Sequence, residues 1–250
     1  MVSCMDLSLI VPVYKQEKTI VKDLKRILKR LDDTPYKYEV IAVVDGEVDK
    51  SAEKIKSINN QHLKLIKYKK NHGKGYAIRQ GLKRAKGKYV AFIDSGMEID
   101  PEGIVMLMEH MKWYDADIMV GSKRHPVSQV NYPPIRRLLS WGYSWLVRIL
   151  FGVKVKDTQA GLKIFRKEMM DEVLPVLLVK RYAFDIEILA VAKRFGYNKI
   201  YEGPIKLDYQ FDSLVSAASM NTILKMLIDT LAVFYRLNIL RYYEKKSSRS

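Results

Sequence analysis

Asp94 closes an apolar run, Tyr89 to Ile93, and is followed by Ser95, Gly96, Met97 and Glu98. Two carboxylates and a hydroxyl so close together are hard oxygen donors that suit a cation such as Mg²⁺, or else form a plain acidic turn. Asp45, Gly46 and Asp49 close a second β-branched run in the same way. Gly73-Lys74-Gly75 lies between the run Leu63 to Lys67 and a helical pattern, where backbone N–H groups and the positive helix end could face a phosphate. Its spacing is not that of a Walker loop, and a turn with a helix start is the simpler reading.

Cations cluster next. Lys123, Arg124 and His125 are followed by Arg136 and Arg137, and guanidinium forks grip phosphate oxygens bidentately. Trp141 and Trp145, an i, i+4 pair, read either as core packing or as a membrane-interface patch. Asp157, Asp185 and Glu187 lie in apolar or basic surroundings; each suits a general base or a buried carboxylate that caps or pairs, the latter preferred for Asp157. The four histidines show no metal-ligand spacing.

Short β-branched runs alternating with amphipathic stretches must position these groups. Leu7 to Val11, Glu39 to Val44, Leu63 to Lys67 and Tyr89 to Ile93 are separated by helical patterns near 17–31, 50–58 and 75–86, the signature of a parallel sheet with crossover helices. Ligands of such sheets bind at the carboxyl ends of the strands, where the loops 12–14, 45–49 and 94–98 fall. Further on, Asp117 to Val120 reads as a strand, 135–151 and 184–195 as helices, and 198–209 as two short strands around Gly203-Pro204. The stretch 219–240 repeats Ile223, Met226, Leu227, Leu231 and Phe234 at helical spacing, with Lys225, Asp229 and Arg236 on another stripe. No window of ~20 residues is free of charge, so no spanning helix is expected.

Composition bounds the function. The 250 residues are 48% hydrophobic, ample for a core, and 44 Lys and Arg against 28 Asp and Glu leave a formal charge of +16. Such a surplus calls for an anionic partner: nucleic acid, phosphorylated substrate or anionic lipid. No base-reading or stacking module is legible, so nucleic acid is not expected. A lone cysteine, Cys4, and no apolar leader point to a cytoplasmic location.

Taken in order, LSLIVPVYKQEKTI (7–20), VVDGEVDKSAE (43–53), KNHGKGYAIRQGLKRAKGKYVAFIDSGMEIDP (70–101), GSKRHP (121–126), KDTQAGLKIFRKE (156–168), FDIEIL (184–189) and GPIKLDY (203–209) resemble family 2 of the nucleotide-sugar glycosyltransferases. The closer resemblance is to the branch that transfers a sugar to a polyprenyl phosphate such as dolichyl phosphate. It implies a GT-A fold, a Rossmann-like, mostly parallel α/β sheet flanked by helices, with a catalytic domain over 1–212 and amphipathic membrane-interface helices with a basic tail over 213–250. Pro12, Tyr14, Glu17, Asp45, Lys74 and Asp94 match the nucleotide-sugar site, and Asp94 is the first aspartate of the metal-binding DXD motif. Val44 and Gly96 depart from the pattern, each standing where the family usually has an aspartate; Glu98 matches a position that can also reach the cation.

The resemblance implies inverting transfer of a hexose to the lipid phosphate at a membrane surface, using Mg²⁺ or Mn²⁺ held by Asp94 and Glu98. TQAGLKIF and FDIEIL look more like the dolichyl-phosphate glucosyltransferases than the mannose synthases, which favours UDP-glucose over GDP-mannose. Asp185 and Glu187 are placed near the donor sugar, and Lys123, Arg124, Arg136 and Arg137 on the acceptor phosphate. The partners expected are the nucleotide sugar, the lipid phosphate, an anionic membrane surface on which the protein sits peripherally, and a membrane-protein partner. A membrane-bound scaffold with a degenerate metal site is the non-enzymatic alternative.

Overall fold

The computed structural model describes residues 5–96, 99–128, 134–181, 183–207 and 220–247, with the backbone alone at 134–140, 220–223 and 247. Seven strands form one sheet: β1 (Leu7–Val13), β2 (Tyr38–Asp45), β3 (Leu63–Tyr68), β4 (Tyr89–Ile93), β5 (Ile118–Ser122), β6 (Leu162–Arg166) and β7 (Ile200–Pro204), in the order β3-β2-β1-β4-β6-β5-β7. All neighbouring pairs are parallel except those of β6, which runs antiparallel to both β4 and β5. Leu162 therefore pairs with Ile93, and the segment entering β6 arrives at the edge where β1, β2, β4 and β5 end. This mostly parallel sheet flanked by helices is the architecture expected above.

Both faces of the sheet are covered, which is why its central strands read as continuous apolar runs. One face packs α1 (Ile20–Asp32), α2 (Ser51–Lys56) and α4 (Glu102–Trp113) against Leu7, Leu9, Val40 and Ala91. The other packs α3 (Lys74–Leu82), α5 (Pro134–Phe151), α6 (Lys167–Val173) and α7 (Phe184–Arg194) against Ile10, Ile41, Val90 and Phe92. Helix α1 shows the logic: Ile20, Leu24, Ile27, Leu28 and Leu31 are buried while Lys22, Lys25 and Lys29 are exposed. Helix α4 was not anticipated, although Ile104, Leu107, Met108 and Met111 repeat at helical spacing and are all buried.

The expected boundary at 212/213 needs correction. Helix α8 (Met220–Phe234), a π-helical turn (Tyr235–Ile239) and α9 (Tyr242–Ser247) share the main core rather than forming an appendage. Val233 and Tyr243 are fully buried, the Phe151 and Phe234 rings meet at 6.2 Å, and the Tyr143 and Thr230 hydroxyls are 2.7 Å apart. One face of helix α8 fills the core while Leu224, Ile228, Leu231 and, just beyond it, Tyr235 form an exposed stripe. Of the apolar face read from the sequence, Leu231 lies on that stripe and Met226, Leu227 and Phe234 are half-buried, while the Ile223 side chain lies outside the described residues. No described helix is long and apolar enough to cross a membrane.

Candidate active site

Asp94 follows β4 at the ligand edge, and its N–H donates to the Gly161 carbonyl at 2.9 Å. The antiparallel entry of β6 makes that contact, and it demands glycine: a Cβ at 161 would stand 2.4 Å from Asp94 Oδ2. Lys74, at the start of α3, brings its ammonium 2.7 Å from Asp94 Oδ1 and 3.0 Å from Oδ2. Asp94 Oδ1 nonetheless takes part in no hydrogen bond. A buried carboxylate oxygen at a strand end whose cationic neighbour is one lysine is the kind of hard ligand a divalent cation uses, one or two carboxylates sufficing when waters and phosphates complete the shell.

Behind Lys74 lies a buried charge pair. Asp185, in the first turn of α7, has one oxygen 3.9 Å from the Lys74 ammonium and the other 2.6 Å from Lys163 Nζ. Lys163 is wholly enclosed and donates a second hydrogen bond to the Ala160 carbonyl at 2.7 Å. Burial works to raise the Asp185 pKa, but the charges of Lys163 and Lys74 outweigh it and hold the carboxyl below the ordinary aspartate range. The Phe92 ring offers its face to both ammonium groups.

The other expected residues divide. Pro12 is buried inside β1, while Tyr14 is exposed just beyond it. The Glu17 carboxylate accepts from Lys50 N–H at 3.1 Å, and its own N–H donates to Asp49 Oδ2, which ties the first loop to the second. Asp45 is turned inward, a correction to its placement on the nucleotide: its buried carboxylate accepts from His72 N–H and Gly73 N–H at 2.8 Å each and from Asn71 Nδ2 at 2.9 Å. The same bonds answer the Gly73-Lys74-Gly75 question, because the His72 and Gly73 N–H groups point at Asp45 and that of Tyr76 at the Lys180 and Gly73 carbonyls.

Glu187 is also corrected. It is fully buried, and its carboxylate accepts from the N–H groups of Leu178 and Val179 and from the Tyr243 hydroxyl at 2.7 Å, so it joins the 178–179 backbone to α9 and does not face the sugar. Burial raises its pKa, against the pull of those donors.

The basic loop after β5 is built by a relay. Glu202 accepts from the N–H groups of Lys156 and Asp157, Asp157 Oδ2 accepts from Lys123 N–H at 3.0 Å, and the Arg124 guanidinium donates to Ser144 Oγ and the Lys156 carbonyl. Asp157 is thus a loop-holding carboxylate. Glu98 and the side chains of Arg136 and Arg137 lie outside the described residues. Trp141 and Trp145 are both more than half exposed, which excludes core packing for that pair.

Sequence reasoning missed Lys163, Gly161 and the Lys180 backbone and Arg181 side chain that abut Gly73. A signal existed for the first: a lysine inside an apolar strand covered on both faces must find a buried counter-charge.

Comparison with known proteins identifies the family. Residues 8–174 match the family model Glycosyl transferase family 2. A dolichyl-phosphate beta-glucosyltransferase of Dictyostelium discoideum is 32% identical over 76% of this chain, which spans 63% of that protein. One from Trichomonas vaginalis is 31% identical over 96% of this chain and 76% of its own length. Among solved structures, glucosyl-3-phosphoglycerate synthase of Mycobacterium tuberculosis, in complex with Mn²⁺, UDP-glucose and phosphoglyceric acid, superposes with a TM-score of 0.68 at 16% identity, over 92% of this chain and 79% of that one. Mannosyl-3-phosphoglycerate synthase of Rubrobacter xylanophilus gives 0.70 at 14% identity, over 95% and 75%. At such identities these two speak for the GT-A fold alone. With a family match over two thirds of its length and an aspartate set at the strand ends as such a site needs, the chain belongs to glycosyltransferase family 2.

Proposed function

We propose that this chain transfers glucose from UDP-glucose, with inversion, to a polyprenyl phosphate of the dolichyl type at a membrane surface. The observation that carries the reading is Asp94, held at the ligand edge with its carboxylate paired to the Lys74 ammonium, in a chain whose relatives are named dolichyl-phosphate beta-glucosyltransferases. Asp94 would hold Mg²⁺ or Mn²⁺, with Glu98 as a second candidate, and the ion when bound would neutralise charge on the leaving diphosphate.

The second pKa of a phosphate monoester is ~6, so at neutral pH the acceptor is largely a dianion and needs no general base. One of its oxygens attacks the anomeric carbon while the bond from that carbon to the diphosphate oxygen breaks. Lys123 and Arg124 orient the acceptor, joined by Arg136 and Arg137 on α5. Lys74 supplies positive charge beside the donor diphosphate, and Asp185 acts through Lys74. Tyr14 and the 14–17 loop receive the nucleotide.

Exposed apolar stripes support a peripheral seat on the cytoplasmic membrane face. Trp141, Trp145 and Ile149 line α5, and Leu224, Ile228, Leu231, Tyr235 and Ile239 line α8 and the π-helical turn. Apolar burial combined with Lys and Arg near an anionic leaflet, ~1 kcal/mol per cation, makes a two-signal anchor.

The deciding experiment incubates the chain, Mg²⁺ or Mn²⁺ and a polyprenyl phosphate with each radiolabelled nucleotide sugar and resolves the lipids by thin-layer chromatography. A glucosylated lipid from UDP-glucose is expected. A product from GDP-mannose alone would overturn the donor assignment, and no product with any donor would favour the scaffold reading.

A further inference from the structure

Lys74 and a divalent cation compete for one carboxylate. The ammonium lies 2.7 and 3.0 Å from the two Asp94 oxygens, whereas a Mg²⁺ ion binds an oxygen at about 2.1 Å, so an ion on Asp94 would take the space and charge complementarity that Lys74 now uses. A second carboxylate stands ready on the far side: Asp185 Oδ2 is 3.9 Å from the same ammonium. Asp185 cannot turn away, because its other oxygen is bonded at 2.6 Å to the fully enclosed Lys163, itself fastened to the Ala160 carbonyl. The Phe92 ring lies 5.6 Å from Lys74 Nζ and 5.3 Å from Lys163 Nζ, so a short move of Lys74 toward Asp185 keeps it near an aromatic face.

We infer that Lys74 is an exchangeable resident cation: it neutralises Asp94 until the divalent ion arrives and is then received by Asp185, which Lys163 holds in place. The inference rests on the reading of Asp94 as a metal ligand and deepens it. Asp185 and Lys163 are positioning residues in this scheme, and the site keeps a positive charge beside the diphosphate in both states.

The test is a titration of the full chain with Mn²⁺ at a UDP concentration that saturates each variant, read by loss of the electron paramagnetic resonance signal of free Mn²⁺. K74M removes the competitor and should tighten Mn²⁺ binding about fivefold, as expected of a partly exposed ion pair, whereas K74R keeps the charge and should bind as the wild type does. D185N, whose amide oxygen can still accept from Lys163, removes the receiving charge and should weaken binding by a similar factor. Added to K74M, it should have no such effect, because no ammonium then needs to be received. Unchanged binding in K74M, or a D185N penalty that persists in full beside K74M, overturns the exchange but leaves the metal at Asp94. Failure of the wild type to bind Mn²⁺, or binding that D94A does not diminish, overturns the metal reading and the exchange with it. Circular dichroism melts of each variant confirm that folded protein is being compared.

Discussion

Asp45 and Asp94 mark the ends of β2 and β4, two strands apart on the same edge of one sheet, yet they do opposite work. Asp45 is buried and satisfied by three N–H donors from residues 71–73, so it is spent on shaping the loop that carries Lys74. Asp94 is partly exposed, takes no backbone N–H on its carboxylate, and faces the Lys74 ammonium. Residue type and topological position are the same; what separates scaffold from chemistry is how many donors the surrounding backbone supplies.

Exchanging the two carboxylates for alanine gives the widest contrast. D94A is expected to lower kcat/KM by ~10³-fold with the melting temperature unchanged, as for loss of one key electrostatic group. D45A strands buried N–H donors and should cost about 3 kcal/mol, a fall of ~6–12 °C in a chain this size, measured by calorimetry. A D94A enzyme that melts early, or a D45A enzyme that is stable and inactive, would break the comparison.

Gly161 sharpens it from the other side. G161A drives a methyl group into the Asp94 carboxylate and should cost ~10²-fold in kcat with little change in unfolding free energy, since the displaced group is catalytic and not core. R124A tests the acceptor side, where the KM for lipid phosphate should rise ~10-fold and that for UDP-glucose far less. Equal effects on both constants would move Arg124 to the donor.

Helix α8 carries the same contrast between its two faces. Glutamate at Leu224 and Ile228 is expected to release the chain from anionic vesicles in flotation assays without lowering its melting temperature, while V233A should cost ~1–3 kcal/mol and leave vesicle binding intact.

The smallest effects are in pH dependence, where two buried glutamates run in opposite directions. Burial works to raise the Glu39 pKa, but Lys64, the Ser8 hydroxyl and Lys86 N–H outweigh it, so it lies below its ordinary 4.5; its stabilising contribution is present above 4.5 and lost as pH falls through the lower folded value. Glu187 is raised above 4.5 by burial, so its contribution is present below 4.5 and lost as pH rises through the higher folded value. Urea denaturation of E39Q and E187Q against the wild type from pH 3 to 7 should show differences that change on the acid side of 4.5 for the first and on the alkaline side for the second.

The amino-acid sequence by itself determined the strands other than β6, most helices and the strand-end placement of Asp94, because apolar runs and helical spacing are local and a crossover sheet leaves few arrangements for them. It also carried Lys123, Arg124 and Lys74 as candidate cations. Only the tertiary structure decided which carboxylates were spent. Asp45 and Glu187 look as chemical in the chain as Asp94 does, and it is contacts from 8 to 56 residues away that satisfy them. Lys163 joined the site because β6 runs antiparallel into the ligand edge, and strand direction is set by pairing partners distant in sequence. Helix α8 likewise showed one apolar stripe in the sequence, while the neighbours that decided which of its residues are covered came from α5 and α7. Periodicity tells a chain what to form; the sharing of donors, charges and apolar faces is settled only when the elements meet.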